Sequence, residues 1–207
     1  KSELRIQSMR THSYLSPGVF SSRMALKRAN ARMQSLMVHC VEPLTTVALS
    51  HGKLAFPQNT RALLETAWRS LVKNQESHAL GGTSIDAVHH ENMLRYQQVE
   101  DNASIIIDQS LDALPGQRHQ PGTTARTDAT YIMVWNGHNW PVKQVVEVEL
   151  DLPKGKHPDA LLSPKDDDLI FGWNPHKDRH GGTLVFLATV PAMGYACYTL
   201  QLGAVPP

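Results

Sequence analysis

The sequence is poor in cysteine, in long apolar runs and in charge of one sign, and each shortage excludes a class of protein. Its two cysteines, Cys40 and Cys197, lie far apart, which suits reduced, buried thiols better than a disulfide framework. Two thiols are also too few for a structural zinc site made of thiolates. No apolar run approaches the roughly 20 residues that a membrane span needs, and no signal peptide opens the chain at Lys1. We therefore expect a cytoplasmic protein with no membrane partner.

The charge balance excludes a global attraction to polyanions. The formal net charge is +1, so we expect no nucleic-acid partner. The 207 residues are 41% hydrophobic and 19% charged, which is ordinary for a globular protein with a real core. The chain also lacks a Gly-rich phosphate loop, a Gly-x-Ser-x-Gly elbow and a His-Glu-x-x-His motif. Its chemistry must therefore be sought in less common patterns.

The first half of the chain has the apolar spacing of helices. Ser21 and Ser22 offer an N-cap hydroxyl, and apolar residues then recur at steps of three and four. Pro43 interrupts this stripe, so we expect a kink there. Three long helices follow from the pattern, over about residues 21–52, 59–80 and 83–114. Three long antiparallel helices predict a bundle.

The second half changes to a period of two from residue 130 onward. Val146, Val148 and Leu150 alternate with Glu147 and Glu149, as in a half-buried strand. About five strands separated by turn signals predict a β-sandwich-like module, over residues 131–135, 142–152, 169–173, 183–190 and 195–202. The predicted fold class is therefore α+β in sequence-separate parts. Its predicted domains are an N-terminal extended segment (1–20), a helical bundle (21–114), a linker rich in Pro and Gly (115–129) and the β-module (130–207).

One histidine stands where a site could be built. His78 precedes Ala-Leu-Gly-Gly between two predicted helices. In such a loop it could act as a metal ligand or as a proton-transfer group. The alternative is an exposed histidine, or one bonded to a helix cap. His89 and His90 cannot chelate one ion together, because adjacent helical residues point to different faces.

Four segments occur in an order and spacing that resemble family 38 of the glycoside hydrolases, the retaining α-mannosidases. Among the branches of the family, these segments are most similar to the bacterial mannosylglycerate-hydrolase-like one. The segments are residues 21–30 (SSRMALKRAN), residues 42–44 (EPL), residues 68–89 (WRSLVKNQESHALGGTSIDAVH) and residues 190–195 (VPAMGY).

The resemblance implies that this chain matches the middle of a longer enzyme: a helical domain and the first β-module. In the family, an N-terminal α/β barrel precedes this part and carries a His-x-Asp zinc motif and the aspartate nucleophile. Neither precedes Ser21 here. The chain alone is therefore expected to be inactive, and a barrel domain or chain is an expected partner.

The third segment departs from the family at its functional pair. The family has His-Asp there, a zinc ligand followed by a carboxylate near the bound sugar. An ungapped match places Ser77 at the ligand histidine and His78 at the aspartate. A serine hydroxyl is a poor zinc ligand beside imidazole. Either His78 reaches the metal through a local shift of the loop, or the site is degenerate.

The resemblance thus implies hydrolysis of α-mannosidic bonds with retention, once this chain is combined with its barrel. The sugar would be an α-mannoside or a mannosylglycerate-like compound. Zinc would be the cofactor, Ser77 and His78 would lie near the sugar, and His78 would be the metal ligand. The alternative is a non-catalytic carbohydrate-binding or scaffold module with a degenerate metal site. Helices without their barrel should expose an apolar surface, so self-association into a homo-oligomer is also expected.

Overall fold

The computed structural model describes residues 18–51, 54–114, 129–176 and 181–204. Most of the predicted N-terminal segment and of the predicted linker lie outside these residues. Helices come first and antiparallel sheets second, so the α+β class is confirmed. Within the described residues, no helix has the length and the apolar character to cross a membrane.

The first helical stretch consists of α1 (Met24–Leu36), a π-helical segment (Met37–Val41) and α2 (Glu42–Ser50). The amide of Glu42 donates to the carbonyl of Met37, five residues earlier. Pro43 explains this wider turn, because its ring clashes with the carbonyl four residues before it and it has no N–H to donate. The interruption predicted at Pro43 is therefore absorbed as one π turn directly before the proline.

Three further helices follow: α3 (Pro57–Lys73), α4 (Ser77–Gly81) and α5 (Asp86–Ala113). Pro57 is at the first turn of α3, where a missing N–H costs nothing. The predicted second helix does not run on to Gly81, because α3 ends at Lys73 and α4 is a separate short helix. With five α-helices and a π segment in the described residues, a bundle of three helices is not confirmed.

Apolar side chains of α1, the π segment, α3 and α5 form one core. Asn30 accepts hydrogen bonds from Gln75 and Tyr96 beside it, at 2.5 and 3.4 Å. The buried members of this core are Leu26, Met33, Met37, Val41, Ala67, Leu71, Tyr96, Val99, Ala103 and Ile106.

Seven strands form two antiparallel sheets in the described residues: β1 (Ala129–Asn136), β2 (Val142–Asp151), β3 (Lys156–Leu162), β4 (Asp168–Leu169), β5 (Phe171–Pro175), β6 (Gly181–Val190) and β7 (Gly194–Ala204). One sheet has the order β1-β7-β3-β4, and the other has the order β2-β6-β5. Both contribute to one core that includes Leu161, Leu184 and Leu200. Two sheets around one core are consistent with the predicted sandwich-like module.

The described residues divide into two compact units. One comprises the described part of Lys1–Glu42 together with Phe56–Gln109. The other comprises Pro43–Ala55 and the described part of Ser110–Pro207. Within that second unit the buried hydroxyls of Thr45 and Ser110 are 3.5 Å apart. The second unit is therefore not purely β, since it includes most of α2 and the end of α5.

Candidate functional site

The segment that connects α3 to α5 is built around a helix cap. Glu76 is the N-cap of α4, and its Oε2 accepts hydrogen bonds from the amides of His78 and Ala79, both at 3.0 Å. These amides lack carbonyl partners at the start of any helix, so a carboxylate there stabilises the turn. The hydroxyl of Ser77 donates to Glu76 Oε1 at 3.1 Å. Glu76 thus fixes both candidate residues.

The imidazole of His78 is held from one side. Its Nδ1 lies 3.1 Å from the hydroxyl of Thr83, and the amide of Thr83 donates to the carbonyl of His78 at 3.0 Å. The ring is exposed to solvent, and its Nε2 makes no hydrogen bond within the described residues. A histidine bonded through Nδ1 presents Nε2 in a defined direction. His78 is therefore an oriented imidazole with one nitrogen available.

The pKa of the Glu76 carboxyl lies below its ordinary value of 4.5, chiefly because it accepts a hydrogen bond from the amide of His78. A carboxyl with a lowered pKa in the folded state stabilises that state above its unfolded pKa, and the contribution is lost as the pH falls through the folded pKa. The amide proton shifts of His78 and Ala79 should therefore titrate below pH 4.5 in an NMR series. In Glu76→Gln this titration should disappear. An unchanged titration in that variant would assign it to another group.

These residues do not by themselves form a zinc site. The Ser77 hydroxyl already donates to Glu76, and His78 offers one ring nitrogen. Across the part of the chain that the structure describes, no three His, Cys, Asp or Glu side chains are grouped to hold a metal ion. Protein zinc sites use three or four ligands, so this segment would need ligands from elsewhere. The zinc implied by the resemblance therefore does not fit the described residues alone.

A buried polar network lies next to this segment and was not predicted. Asn74 caps the end of α3, and its side-chain amide donates to the carbonyl of Asn92 at 2.9 Å. Arg95 donates to the side-chain oxygens of both asparagines, at 3.4 Å for Asn74 and 2.8 Å for Asn92. His89 is only 4% exposed, and neither of its ring nitrogens has a hydrogen-bond partner among the residues that the structure describes. His90 is exposed, as expected for the next residue on a helix.

The thiols have no place in this site. Cys40 and Cys197 are half-buried, and neither forms a disulfide within the described residues. Burial raises the pKa of the Cys40 thiol, which disfavours the reactive thiolate. These observations agree with the reduced thiols that the sequence predicts.

The fold is α+β, and a capped segment carries His78. Comparison with known proteins relates this part of the chain to one protein family. Residues 15–114 match the family model for the α-mannosidase middle domain. A putative mannosylglycerate hydrolase of Halalkalibacterium halodurans is 33% identical over 87 residues, which are 42% of this chain and 9% of that protein. α-Mannosidase 2C1 of Homo sapiens is 24% identical over 180 residues, which are 86% of this chain and 14% of that protein.

Solved structures show the same fold. An α-mannosidase from Enterococcus faecalis superposes with a TM-score of 0.68 at 19% identity, covering 90% of this chain and 24% of that one. A family 38 glycosyl hydrolase protein from the same organism gives 0.66 at 17% identity, covering 91% and 26%. The chain thus spans a small part of its curated relatives and about a quarter of these structures. Residues 15–114 therefore correspond to the α-mannosidase middle domain, and the chain is similar to part of the family 38 glycoside hydrolases.

Proposed function

We propose that this chain is the middle part of a family 38 α-mannosidase-like protein, which hydrolyses α-mannosidic bonds with retention when combined with a catalytic barrel. The observation that carries the proposal is the match of residues 15–114 to the middle-domain family, because these residues include the whole capped turn with Ser77 and His78. The substrate we propose is an α-mannoside or a mannosylglycerate-like sugar.

The role proposed for this chain is to present one polar side chain to the sugar. Retaining glycosidases use two carboxyl groups, a nucleophile and an acid/base, on the two sides of the scissile bond. We assign neither to this chain. The Nε2 of His78 is an exposed hydrogen-bonding group on a ring that Thr83 orients. In this proposal it binds a sugar hydroxyl, and Glu76 keeps the turn in place beneath it.

Apolar side chains at both ends of this segment support a partner. Val72 on α3 is 60% exposed and Ile85, just before α5, is 72% exposed. Contiguous exposed apolar side chains mark interaction surfaces, and we propose that these two belong to one such surface. We propose that the barrel covers them in the complete protein, and that a second copy of the chain covers them where the barrel is absent.

Activity of the longest available polypeptide that contains this chain tests the proposal. We expect it to hydrolyse an aryl α-mannoside with an α-configured first product, followed by NMR of the anomeric proton. The variant His78→Ala should lower kcat/KM by about 10- to 10²-fold, the loss expected when a hydrogen bond worth about 1–3 kcal/mol is removed. His90→Ala is the matched control, because His90 is an exposed histidine on α5. Unchanged zinc content and unchanged activity in His78→Ala would remove His78 from the site.

A non-catalytic carbohydrate-binding or scaffold module is the second candidate. Two observations favour it: the described residues contain no group of metal ligands, and the Ser77 hydroxyl is already bonded to Glu76. A sugar that shifts the His78 ring signals without being hydrolysed by the longest polypeptide would support this candidate over the enzyme.

A further inference from the structure

The start of α1 contacts the loop that follows α4, although the two are far apart in sequence. Arg23 Nη2 lies 2.5 Å from Asp86 Oδ1, and the Ser22 hydroxyl donates to the carbonyl of Gly82 at 3.5 Å. The ammonium group of Lys27 donates to the carbonyl of Ser22 at 2.5 Å, which fixes the backbone on the α1 side. We call Ser22 and Arg23 the α1 clamp.

Gly82 is the point where the clamp fits most tightly. Its φ is +78°, in the left-handed region that residues other than glycine rarely adopt. A Cβ at this position would lie 2.7 Å from the Ser22 hydroxyl oxygen and 3.3 Å from the Cβ of Arg23. The residue must therefore be glycine both for its backbone conformation and for the close approach of the clamp.

The loop held by the clamp is the one that orients His78. The amide of Gly82 donates to the carbonyls of His78 and Ala79, at 3.1 and 3.2 Å. The next residue, Thr83, contacts His78 through its backbone amide and its hydroxyl. A displacement of Gly82 would therefore move both the backbone and the ring partner of His78.

We propose that Ser22 and Arg23 are positioning residues for His78: they hold the Gly82–Thr83 turn so that the Nε2 of His78 keeps one direction. Binding of a sugar hydroxyl by Nε2 rests on the function proposed above. The contacts of Ser22 and Arg23 that hold the turn do not depend on that function. The Arg23–Asp86 pair is exposed, with 39% and 92% of the two side chains accessible, so it contributes little to global stability. Loss of the clamp can therefore be separated from unfolding.

The first test compares two glycine substitutions in the full chain. Gly82→Ala should raise the amide exchange rates of His78, Ala79 and Thr83 by about tenfold, through local opening of the turn. Gly18→Ala is the matched control, because Gly18 has a φ of +80° in the same unit but no atom within 4 Å of its added Cβ. Equal exchange in the loop of both variants would overturn the proposal, because the close contact between Gly82 and the clamp would then have no specific effect on the turn.

The second test exchanges the charges of the ion pair. Arg23→Asp should change the chemical shift of the His78 ring protons in NMR and raise exchange in the loop about fivefold, with little change in the unfolding midpoint. Adding Asp86→Arg should restore both signals. His78 ring shifts and loop exchange that are unchanged in Arg23→Asp, or are not restored by the second substitution, would contradict the clamp.

Two probes separate this proposal from the function beneath it. Methyl α-mannoside and Zn²⁺ are each added to the longest available polypeptide that contains this chain, while the His78 ring signals are followed. If neither moves those signals but the charge exchange does, the clamp stands and the proposed role of His78 is wrong. If a probe moves them but the charge exchange leaves the loop unchanged, the clamp is wrong.

Discussion

Leu71→Ala should lower the free energy of unfolding of the helical unit by about 2–5 kcal/mol. Leu71 is 1% exposed and belongs to the core that α1, the π segment, α3 and α5 share. Its removal costs the transfer of the lost methyl groups and the cavity left among neighbours that relax only partly. Urea unfolding followed by far-UV circular dichroism measures the loss as a change in midpoint at constant slope.

The next residue is the control for this prediction. Val72 lies on the same helix but is 60% exposed, so Val72→Ala should change the unfolding free energy by no more than about 0.5 kcal/mol. Similar losses in the two variants would mean that α3 does not present the Leu71 side to the core. The position of the candidate segment would then need revision, because α3 ends directly before Asn74 and the cap of α4.

Gly182→Ala should destabilise the β unit by about 1–3 kcal/mol or more, because the sheet has no room for a methyl group there. A Cβ on Gly182 would lie 2.5 Å from the carbonyl oxygen of Asn174, 2.6 Å from the Trp173 ring and 2.9 Å from the Cα of Pro175. Two of these atoms are backbone, so the strand β5 itself would have to move. Thermal unfolding followed by tryptophan fluorescence measures the effect.

Gly172→Ala provides the matched comparison for Gly182→Ala. Gly172 lies on β5, paired with β6, and the nearest atoms to its added Cβ are 3.9 Å away. Neither glycine has φ in the left-handed region, so backbone strain does not differ between the two variants. Equal losses would mean that the close approach at Gly182 is relieved without cost.

Local periodicity predicted the strands whose side chains alternate. It located β1, β2, β6 and β7 within a few residues, because each faces a core on one side. It missed β3, since that strand contains Pro158, and its pairing with β7 shifts register between Pro158 and Ala160. Proline is tolerated in a sheet at such bulges, but it makes a strand unrecognisable by pattern alone.

The predicted strand over residues 169–173 is two strands in different sheets. β4 pairs with β3 and β5 pairs with β6, and Ile170 between them is 97% exposed. Strands that pass from one sheet to the other do so at bends, and no side-chain periodicity marks that point. Period-two patterning therefore indicated the strand but not the change of sheet.

In the candidate segment too, nearby residues predicted some features, whereas contacts between residues far apart in sequence were not predicted. A histidine on glycines between two helices predicted a turn, whereas the structure places His78 in the short helix α4, which ends at Gly81 with Gly82 as its C-cap. The cap was missed, because a glutamate before Ser77 is not among the short side chains that usually cap helices. The Arg23–Asp86 pair joins residues 63 apart in sequence, and only the packing of α1 near the loop brings them together.

The division into units also means that the residues of one unit are synthesised at different times. Pro43–Ala55 packs as part of a unit whose other residues begin at Ser110, and the intervening residues complete the first unit. On the ribosome, therefore, Leu44 and Ala48, almost fully buried in the finished protein, are made long before the strands of their own unit. Domains generally fold as they emerge, and apolar surface exposed meanwhile favours aggregation. Until Ser110 and the strands are made, we therefore expect Leu44 and Ala48 to remain exposed on the nascent chain.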